Sequence, residues 1–383
     1  MKIVIAPNAF KESLSAWEAA RALQTGLRRA LPAAELILAP VADGGDGTVE
    51  ALVRVTGGRM RRTRVDDPLG RPIRAAYGVL GDGKAAVIEM AAASGLRLLA
   101  PNERDPMRAS THGTGQLIRA AVERGSRRCI LGVGGSATTD GGAGMAHALG
   151  YRFLDVRGRE FRPRSGNLSR IAAIDPAPYL RWLDRMRRPG GAPSFTLACD
   201  VNNPMVGPRG AARVYAPQKG ASPRQVERLE AGMAHFAGVI RRDLGVRVKR
   251  LPGGGAGGGL GAGLVAFCGA AIRPGAETII EAIGFEEFLK GADWVITGEG
   301  RLDRQTLFGK APAVVASLAR RRGIPVIGVA GALGPGSRAL LRRHFDALFS
   351  IADGPASLED TMRRTPSLLT SLGEAIGGVI RGS

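Results

Sequence analysis

Short apolar segments alternate with amphipathic segments at the two ends of the chain, and this alternation constrains the fold more than any other feature. Lys2–Ala6 predicts a buried strand, apolar residues at helical spacing predict a helix that begins near Ser13 or Ser15, and Glu35–Pro40 predicts a second strand. A strand, a helix and a strand in this order make a βαβ unit, whose two strands are parallel. The N-terminal sequence therefore indicates an α/β fold.

The C-terminal part of the chain repeats this alternation. Strands are expected at Ala292–Thr297, Ile324–Ala330 and Ala347–Ile351, and helices at Lys310–Arg321, Ala339–His344 and Leu358–Val379. The middle of the chain shows a different pattern from the two ends. Its stretch Arg152–Gly191 is interpreted as an irregular surface excursion. We therefore expect two α/β domains, one formed by residues 1–60 and 286–383 and a second, residues 61–285, inserted into it.

Composition excludes several classes of protein. Hydrophobic residues make up 44% of the chain and charged residues 23%, which are values of globular and not of disordered proteins. The three cysteines form no CxxC pair and the histidines form no HxxxH motif, so neither a disulfide framework nor a Cys- or His-based metal site is expected. Because no signal-peptide pattern and no long apolar segment is seen, we expect a soluble, cytoplasmic protein.

The formal net charge of +20 suggests nucleic acid or an anionic membrane surface as a partner. However, the basic residues are scattered along the chain, and aromatic residues amount to only 5%, so stacking platforms for single-stranded nucleic acid are scarce. An arginine-rich surface is the simpler interpretation, and we expect neither a nucleic-acid nor a membrane partner. A positive field would also attract small anionic substrates.

Two glycine-rich segments follow predicted strands and carry polar side chains. Val41–Thr48 contains Asp43 and Asp46, which add metal-binding oxygens to the backbone amides of its glycines. Gly132–Met145 leads into a predicted helix and is a candidate phosphate site, because glycine lets backbone amides approach an anion. Its candidate residues are Gly134, Gly135, Ser136, Thr138, Thr139 and Gly141. The alternatives are an Asp-capped turn for the first segment and a tight structural turn for the second.

Three further segments offer related chemistry. Pro252–Gly263 is dense in glycine, and Gly255 and Gly257 are expected in a second anion-binding loop, with a flexible hinge as the alternative. Glu299, Arg301 and Asp303 follow a predicted strand, and Lys310 opens the next helix. The basic residues are candidates to bind phosphate, and the acidic residues are candidates to bind a divalent cation. The alternative is a solvated, salt-bridged loop. Asp200 also follows a strand and is a candidate base or metal ligand, unless it is a turn cap. Lys11 and Ser13 lie after the first strand.

One segment imitates a nucleotide-binding P-loop. Gly78–Lys84 has the spacing GxxxxGK, but Ala85 stands where a hydroxyl residue would bind Mg²⁺. A strand is expected to follow, so a hairpin turn is predicted.

Glycine-rich anion loops with carboxylates, and no Ser–His–Asp or Cys–His arrangement, favour phosphoryl transfer. The residues by themselves therefore indicate a nucleotide-dependent kinase and leave its acceptor open.

Six motifs occur in order between residue 1 and roughly residue 335. They are MKIVIAPNAFKESLSA, PVADGGDGT, STHGTGQLI, ILGVGGSATTDGGAGM, CDVNNPMVGPRGAARVYAPQKG and WVITGEGRLDRQTLFGKAP. Together they resemble the bacterial glycerate kinase family. The resemblance implies phosphorylation of D-glycerate by ATP with Mg²⁺, more often giving 2-phosphoglycerate than 3-phosphoglycerate. It also implies a flavodoxin-like parallel-sheet domain interrupted by a large inserted α/β domain, with the active site in the cleft.

The resemblance also implies roles for individual residues. The catalytic residues would be Asp200, which orients or deprotonates the attacking hydroxyl, with Lys11 and Arg301. Substrate would be bound by Ser13, Asn203, Arg301 and Lys310, and the glycerate carboxylate would pair with Arg301 or Lys310. The phosphates of ATP would lie on the loop Gly134–Gly142. The metal ligands would be Asp43, Asp46, Glu299 and Asp303.

The chain departs from the family at a few of these positions. Asn8-Ala9 stands where the family commonly has Asp-Ser, Asp46 where it has Glu, and Asn202 where it has Asp. If Asn8 or Asn202 occupies a metal or base position, one carboxylate is missing. Two alternative functions are a kinase of another small hydroxy acid and a basic nucleic-acid-binding or regulatory protein on a kinase-like scaffold.

Overall fold

The structure is a computed structural model that describes residues 1–45, 47–187 and 191–382. Its strands are β1 Lys2–Pro7, β2 Glu35–Leu38, β3 Arg59–Asp66, β4 Pro72–Val79, β5 Ala85–Glu89, β6 Arg128–Gly132, β7 Arg152–Leu154, β8 Ala173–Asp175, β9 Ser194–Ala198, β10 Ala271–Arg273, β11 Trp294–Leu302, β12 Val326–Leu333 and β13 Ala347–Ser350.

Its α-helices are α1 Ala16–Ala30, α2 Thr48–Val55, α3 Ala91–Ser94, α4 His112–Glu123, α5 Ala143–Leu149, α6 Ala177–Met186, α7 Ala211–Tyr215, α8 Pro223–Leu244, α9 Ala256–Cys268, α10 Gly275–Ala282, α11 Phe285–Phe288, α12 Ala311–Arg320, α13 Ser337–His344 and α14 Leu358–Gly382. Short 3₁₀ turns cover Leu96–Leu98, Pro101–Glu103, Ser165–Arg170, Pro217–Lys219 and Arg304–Phe308. Among the helices of the described residues, none has the length and apolar composition needed to span a bilayer.

Contacts within the chain divide it into two compact units. Unit 1 comprises Met1–Asp43, Glu50–Thr56 and Pro274–Ser383, and unit 2 comprises Gly44–Val49 and Gly57–Arg273. Each unit contains its own sheet with parallel strands, so the chain has the mixed α/β architecture that the alternation of strands and helices predicted.

Unit 1 is built on a five-stranded parallel sheet with the strand order β13-β12-β11-β1-β2. Counted along the strands of this sheet alone, the order is 2-1-3-4-5, as in flavodoxin-like doubly wound sheets. In such sheets ligands bind outside the carboxyl ends of the strands, at the point where the strand order reverses. In unit 1 this point lies between β1 and β11.

Helix α1 packs against α14 on this sheet. It begins with a capping box, in which the backbone N–H of Glu18 donates to Ser15 Oγ and the backbone N–H of Ser15 donates to the Glu18 carboxylate. Of the two candidate serines, Ser15 is therefore the N-cap. A Cβ at Gly26 would lie 1.9 Å from the Thr370 carbonyl oxygen, so glycine at this position allows the two helices to approach closely.

Unit 2 contains a six-stranded sheet with the order β10-β9-β6-β5-β4-β3. The four strands from β10 to β5 are parallel, whereas β4 pairs antiparallel with both β5 and β3. The antiparallel pairing of β4 with β5 makes Gly78–Lys84 part of a hairpin connection, which confirms that this segment is not a P-loop.

The stretch that follows α5 is not a surface excursion, and the expectation for Arg152–Gly191 was wrong. It contributes β7, β8 and α6, and it buries Phe153, Tyr179 and Trp182. The ring of Tyr179 stacks on Tyr151 with centroids 4.5 Å apart. Aromatic side chains bury large apolar areas, and their partners here come from distant parts of unit 2, which local composition does not reveal.

Candidate active site

Two neighbouring strands of unit 2 end at segments that the sequence marked as functional. Strands β6 and β9 pair in parallel, with Gly132 opposite Ala198. The glycine-rich loop therefore starts from the end of β6 at the same edge of the sheet where the chain leaves β9 for Asp200. Asp200 is exposed. The structure thus brings the predicted phosphate loop and the predicted base to one edge of unit 2.

The segment Val41–Thr48 also reaches this edge through its glycines. Gly44 has a φ of +88°, and a Cβ there would lie 3.3 Å from the carbonyl oxygen of Ala198. A Cβ at Gly132 would lie only 2.5 Å from the carbonyl oxygen of Gly44. Glycine is therefore required where these backbones meet. Asp46, predicted as a metal ligand, lies outside the described residues.

The loop Gly132–Gly142 has an exposed half and a buried half. Gly134 and Gly135 are exposed, and Gly135 has a φ of +68°, a conformation that favours glycine. Thr138 and Thr139 are buried, and no hydrogen-bond partner for either hydroxyl is found in residues 1–45, 47–187 and 191–382. The exposed glycine backbone can thus meet an anion from solvent, whereas the two threonine hydroxyls lie in the interior of unit 2.

Asp140 holds the buried half of the loop in place. Its carboxylate accepts hydrogen bonds from the backbone N–H and the hydroxyl of Thr111 at 2.8 and 2.9 Å, and from the backbone N–H groups of Gly142 and Gly144 at 3.1 and 3.2 Å. Burial raises the pKa of Asp140, while these hydrogen bonds oppose the rise. The carboxylate thereby joins the start of α5 to the residue before α4.

Lys219 lies beneath the same loop and was not among the residues singled out from the sequence. It ends the 3₁₀ turn Pro217–Lys219, is 2% exposed, and donates hydrogen bonds from Nζ to Ser136 Oγ at 2.8 Å and to the Thr138 carbonyl oxygen at 2.6 Å. Burial lowers the pKa of Lys219 to about 7, and the nearby charge of Asp140 opposes this effect. The available sequence signal was a lysine in a chain where only seven of 54 basic residues are lysines.

The second glycine run packs directly against the loop. It forms the start of α9, where Gly257, Gly258 and Gly259 have positive φ angles. A Cβ at Gly258 would lie 1.9 Å from the Thr138 carbonyl oxygen, and one at Gly255 would lie 2.3 Å from that of Pro204. Such close packing argues against the flexible-hinge alternative. Because these close approaches are to protein backbone, a phosphate-binding role for Gly255 and Gly257 stays a prediction.

Two predicted substrate-binding residues hold backbone in place. The amide of Asn203 donates to the Arg209 carbonyl oxygen and accepts from the Tyr215 hydroxyl, both at 2.8 Å, which shapes the segment after β9. In unit 1, Ser13 Oγ donates to the Met362 carbonyl oxygen at 2.7 Å. Their role in substrate binding stays a prediction.

In unit 1, a buried carboxylate lies on β11 near the point where the strand order reverses. Glu299 is 6% exposed; its Oε1 accepts a hydrogen bond from the Thr306 hydroxyl at 2.8 Å and lies 3.6 Å from Lys310 Nζ. Burial raises the pKa of Glu299, the charge of Asp43 adds to the rise, and Lys310 and Thr306 oppose it. The structure therefore brings Asp43, Glu299 and Lys310 of the predicted set together.

Asn8, one of the departures from the family pattern, belongs to the same group. Its amide nitrogen donates to the Asp43 carboxylate at 3.3 Å, and its amide oxygen accepts from the backbone N–H of Ala9 at 2.8 Å. A carboxylate at this position would repel Asp43, whereas the amide donates a hydrogen bond to Asp43 and orients its side chain.

The remaining predicted residues of unit 1 are more exposed. Arg301, with 62% of its side chain exposed, pairs with Asp303 at 3.1 Å, and Asp303 caps the following 3₁₀ turn. Lys11 is exposed and lies beside β11, since its backbone nitrogen is 3.5 Å from the position that a Cβ on Gly300 would take. Within the part of the chain that the structure describes, no group of three or more His, Cys, Asp or Glu side chains is arranged to hold a metal ion by itself.

Comparison with known proteins gives one consistent result. Residues 3–381 match the glycerate kinase family. A glycerate kinase of Halalkalibacterium halodurans is 47% identical over 96% of this chain and 95% of its own length. A glycerate kinase of Bacillus subtilis is 46% identical over 100% of this chain and 98% of its own.

A glycerate 2-kinase of Escherichia coli is 45% identical over 95% of this chain and 93% of its own length. A crystal structure of a Salmonella typhimurium LT2 protein assigned as glycerate kinase 2 superposes with a TM-score of 0.88, at 44% identity, over 100% of this chain and 98% of that one. The chain therefore belongs to the glycerate kinase family, and it is a phosphotransferase with an alcohol group as acceptor.

Proposed function

We propose that the chain transfers the γ-phosphoryl group of ATP to the 2-hydroxyl of D-glycerate with Mg²⁺, giving 2-phosphoglycerate. Membership of the family supports the donor and the acceptor, and the designation of the Escherichia coli relative as a 2-kinase favours the 2-hydroxyl. The observation that carries the proposal is the glycine loop after β6, which has a buried lysine beneath it and Asp200 at the same sheet edge.

In this proposal the phosphates of ATP lie on the exposed backbone of Gly134 and Gly135 and on Ser136. Backbone amides without a Cβ nearby can approach phosphate oxygens closely. Lys219 is a positioning residue, because its two hydrogen bonds fix Ser136 and Thr138, the two ends of the turn that would hold the phosphates. When Lys219 is protonated, its positive charge beneath the loop also favours an anion above it.

Asp200 orients the attacking hydroxyl and accepts its proton. Phosphoryl transfer depends mainly on positioning and charge stabilisation, and a carboxylate is the usual group that accepts the proton from an alcohol nucleophile in kinases. Asp200 is exposed and is separated from the end of β9 only by Cys199, so a small acid in solvent can reach it.

The carboxylates of unit 1 fit a Mg²⁺ ion that is held together with phosphates. Mg²⁺ in kinases is typically bound by one or two carboxylates plus phosphate oxygens and water, so a complete protein cage is not required. Asp43 and Glu299 would hold it, with Asp46 and Asp303 as further candidates. When bound, Mg²⁺ neutralises charge on the phosphoryl oxygens. Lys11, Arg301 and Lys310 would contact the anionic groups of the substrates.

The proposal includes a domain organisation. Residues 1–60 and 286–383 form a flavodoxin-like domain, and residues 61–285 form the inserted domain. The division of the contacts into two units and the strand order of unit 1 support this assignment.

A coupled assay of ADP release over a panel of small hydroxy acids tests the proposal. We expect D-glycerate to give the highest kcat/KM, and phosphorus NMR of the product to show a phosphate on carbon 2. A higher kcat/KM for another hydroxy acid would identify that acid, and not D-glycerate, as the acceptor. Absence of ADP release with every acid, combined with nucleic-acid affinity that falls steeply with salt, would favour the nucleic-acid-binding alternative.

A further inference from the structure

An open cavity of about 520 Å³ in unit 2 is lined by arginines and contains no acidic residue. Arg108 contributes from the loop before α4, Arg228 from α8, and the remaining arginines from the 3₁₀ turn Ser165–Arg170 and the residues before it. Those remaining arginines are Arg162, Arg164 and Arg170. We call this site the arginine cavity. Neither the glycine loop after β6 nor Lys219 lines it.

Most of the positive charge in the arginine cavity is not balanced. Arg162 forms an ion pair with Asp66 at 2.5 Å. For the other four, Arg108, Arg164, Arg170 and Arg228, no carboxylate partner is found in the described ranges 1–45, 47–187 and 191–382. In contrast, Arg213 forms a two-fold hydrogen-bonded pair with Glu227, the neighbour of Arg228 on α8. About four positive charges therefore face one cavity without a counter-charge.

The segment that supplies three of these arginines is held in a defined conformation. The guanidinium of Arg170 lies 4.7 Å from the centre of the Phe161 ring. The side chain of Asn167 accepts from the backbone N–H of Arg164 at 2.7 Å and donates to the Arg162 carbonyl oxygen at 3.2 Å. A fixed backbone and an anchored guanidinium reduce the ordering cost of binding a ligand.

We propose that the arginine cavity binds a small molecule that carries two phosphate groups. A phosphate carries close to two negative charges near neutral pH, so two phosphates balance about four guanidinium groups. The planar guanidinium of arginine also matches phosphate oxygens in a two-fold hydrogen-bonded geometry. The cavity volume of about 520 Å³ is within the range of small-molecule sites.

Unit 2 offers a matched control for simple electrostatic attraction. A second cavity, of about 530 Å³, is lined by Arg241, Arg247, Lys249 and Arg250. Three of these residues come from one short segment, and among the residues described none of the four makes a side-chain ion pair or stacks on an aromatic ring. This cavity has similar charge but lacks the anchored arginines.

Calorimetric titration with inorganic pyrophosphate, at physiological ionic strength and without Mg²⁺, tests the proposal. We expect binding with a Kd below about 1 mM, a roughly tenfold loss of affinity in R164Q/R228Q, and no comparable loss in R241Q/R250Q. Circular dichroism and the KM for ATP should be unchanged in both double variants, because these exposed side chains lie outside the glycine loop.

Several results would overturn the assignment. Equal loss of affinity in both double variants would mean that the net charge of the chain attracts the probe. A parallel rise in the KM for ATP in R164Q/R228Q would mean that pyrophosphate occupies the nucleotide site. Equal affinity for citrate would remove the assignment to phosphate, and absence of binding to the intact protein would remove the site. Each of these readouts is separate from D-glycerate turnover.

Discussion

The side-chain nitrogen of Lys219 lies 2.6 Å from the carbonyl oxygen of Thr138, deep in unit 2 and far from Thr138 in sequence. A second hydrogen bond, to Ser136, means that one ammonium group holds both ends of a short turn in the glycine loop. A buried, hydrogen-bonded lysine costs stability through desolvation, so its presence beneath a candidate phosphate site is best explained by function.

Replacement of Lys219 by Met should impair ATP binding more than the chemical step. The loop loses both hydrogen bonds and the charge beneath it, so we expect kcat/KM for ATP to fall roughly 100-fold, mainly through KM. Steady-state kinetics with D-glycerate saturating measures this effect. The control is Lys84→Met, an exposed lysine in the β4–β5 hairpin, which should retain wild-type values. Unchanged KM in a folded K219M protein would remove Lys219 from the proposal.

The same lysine should make stability depend on pH. Its pKa is about 7 in the folded protein and near 10.5 in the unfolded chain. Between these values the unfolded chain binds a proton that the folded protein has released, so the free energy of unfolding rises with pH. Below about pH 7 both states are protonated and the full burial cost remains.

Urea denaturation at pH 7 and pH 9 checks this dependence. Relative to K219M, the wild-type protein should gain about 2 kcal/mol in the free energy of unfolding between these two pH values. A constant difference between the two proteins would show that Lys219 does not titrate in this range.

Gly258→Ala should be strongly destabilising. Gly258 has a φ of +72°, and a Cβ there would lie 1.9 Å from the Thr138 carbonyl oxygen. We expect a loss of about 3–5 kcal/mol from backbone strain and steric overlap together. Gly269→Ala is the control, since Gly269 has a φ of +64° but nothing within 4 Å of its Cβ position, and it should lose only about 1 kcal/mol. Denaturant unfolding that ranks the two variants equally would contradict the packing.

Glu299→Gln should raise the Mg²⁺ requirement. The substitution removes the buried charge next to Lys310 and Asp43 while it preserves the shape of the side chain. We expect the Mg²⁺ concentration for half-maximal activity to increase at least roughly tenfold. Glu287→Gln, at an exposed glutamate paired with Lys290, should leave this concentration unchanged. An unaltered Mg²⁺ dependence in E299Q would exclude Glu299 as a metal ligand.

Asp200→Asn should reduce kcat while the protein stays folded. The amide can still accept a hydrogen bond but is a far weaker base, so kcat should fall roughly 10²–10⁴-fold with little change in KM. Single-turnover measurement of ADP formation isolates this step. Asp184→Asn, at an exposed residue of α6, is the control. Near wild-type turnover in D200N would require another residue to act as the base.

Local patterns predicted the existence of most regular elements but not their exact limits. The apolar runs of β1 and β12 were recognised because burial of a strand in a parallel sheet requires apolar residues on both faces. Strand β11 extends to Leu302, beyond the predicted Thr297, because its polar end is held by pairing with β12. Hydrogen bonding to a neighbour is not encoded in the residues of one strand.

The site residues likewise divide into those that local sequence patterns revealed and those that only the structure revealed. Glycine-rich segments at strand ends were visible, since glycine at such density has a backbone reason. The burial of Lys219 was not visible in the sequence, because Lys219 is held by hydrogen bonds to residues that lie 81 and 83 positions away along the chain. The left-handed glycines at the start of α9 likewise became interpretable only through their contact with Thr138.

The sequence by itself determined that the chain is an α/β protein with glycine loops at strand ends, and its motifs determined the family. These properties depend on local periodicity, on backbone freedom at glycine and on the order of the motifs. Only the tertiary structure decided which polar groups are buried together, such as Lys219 beneath the loop, Asn8 beside Asp43 and the unbalanced arginines around one cavity. Burial and charge balance are sums over residues distant in sequence, and folding alone brings those residues into contact.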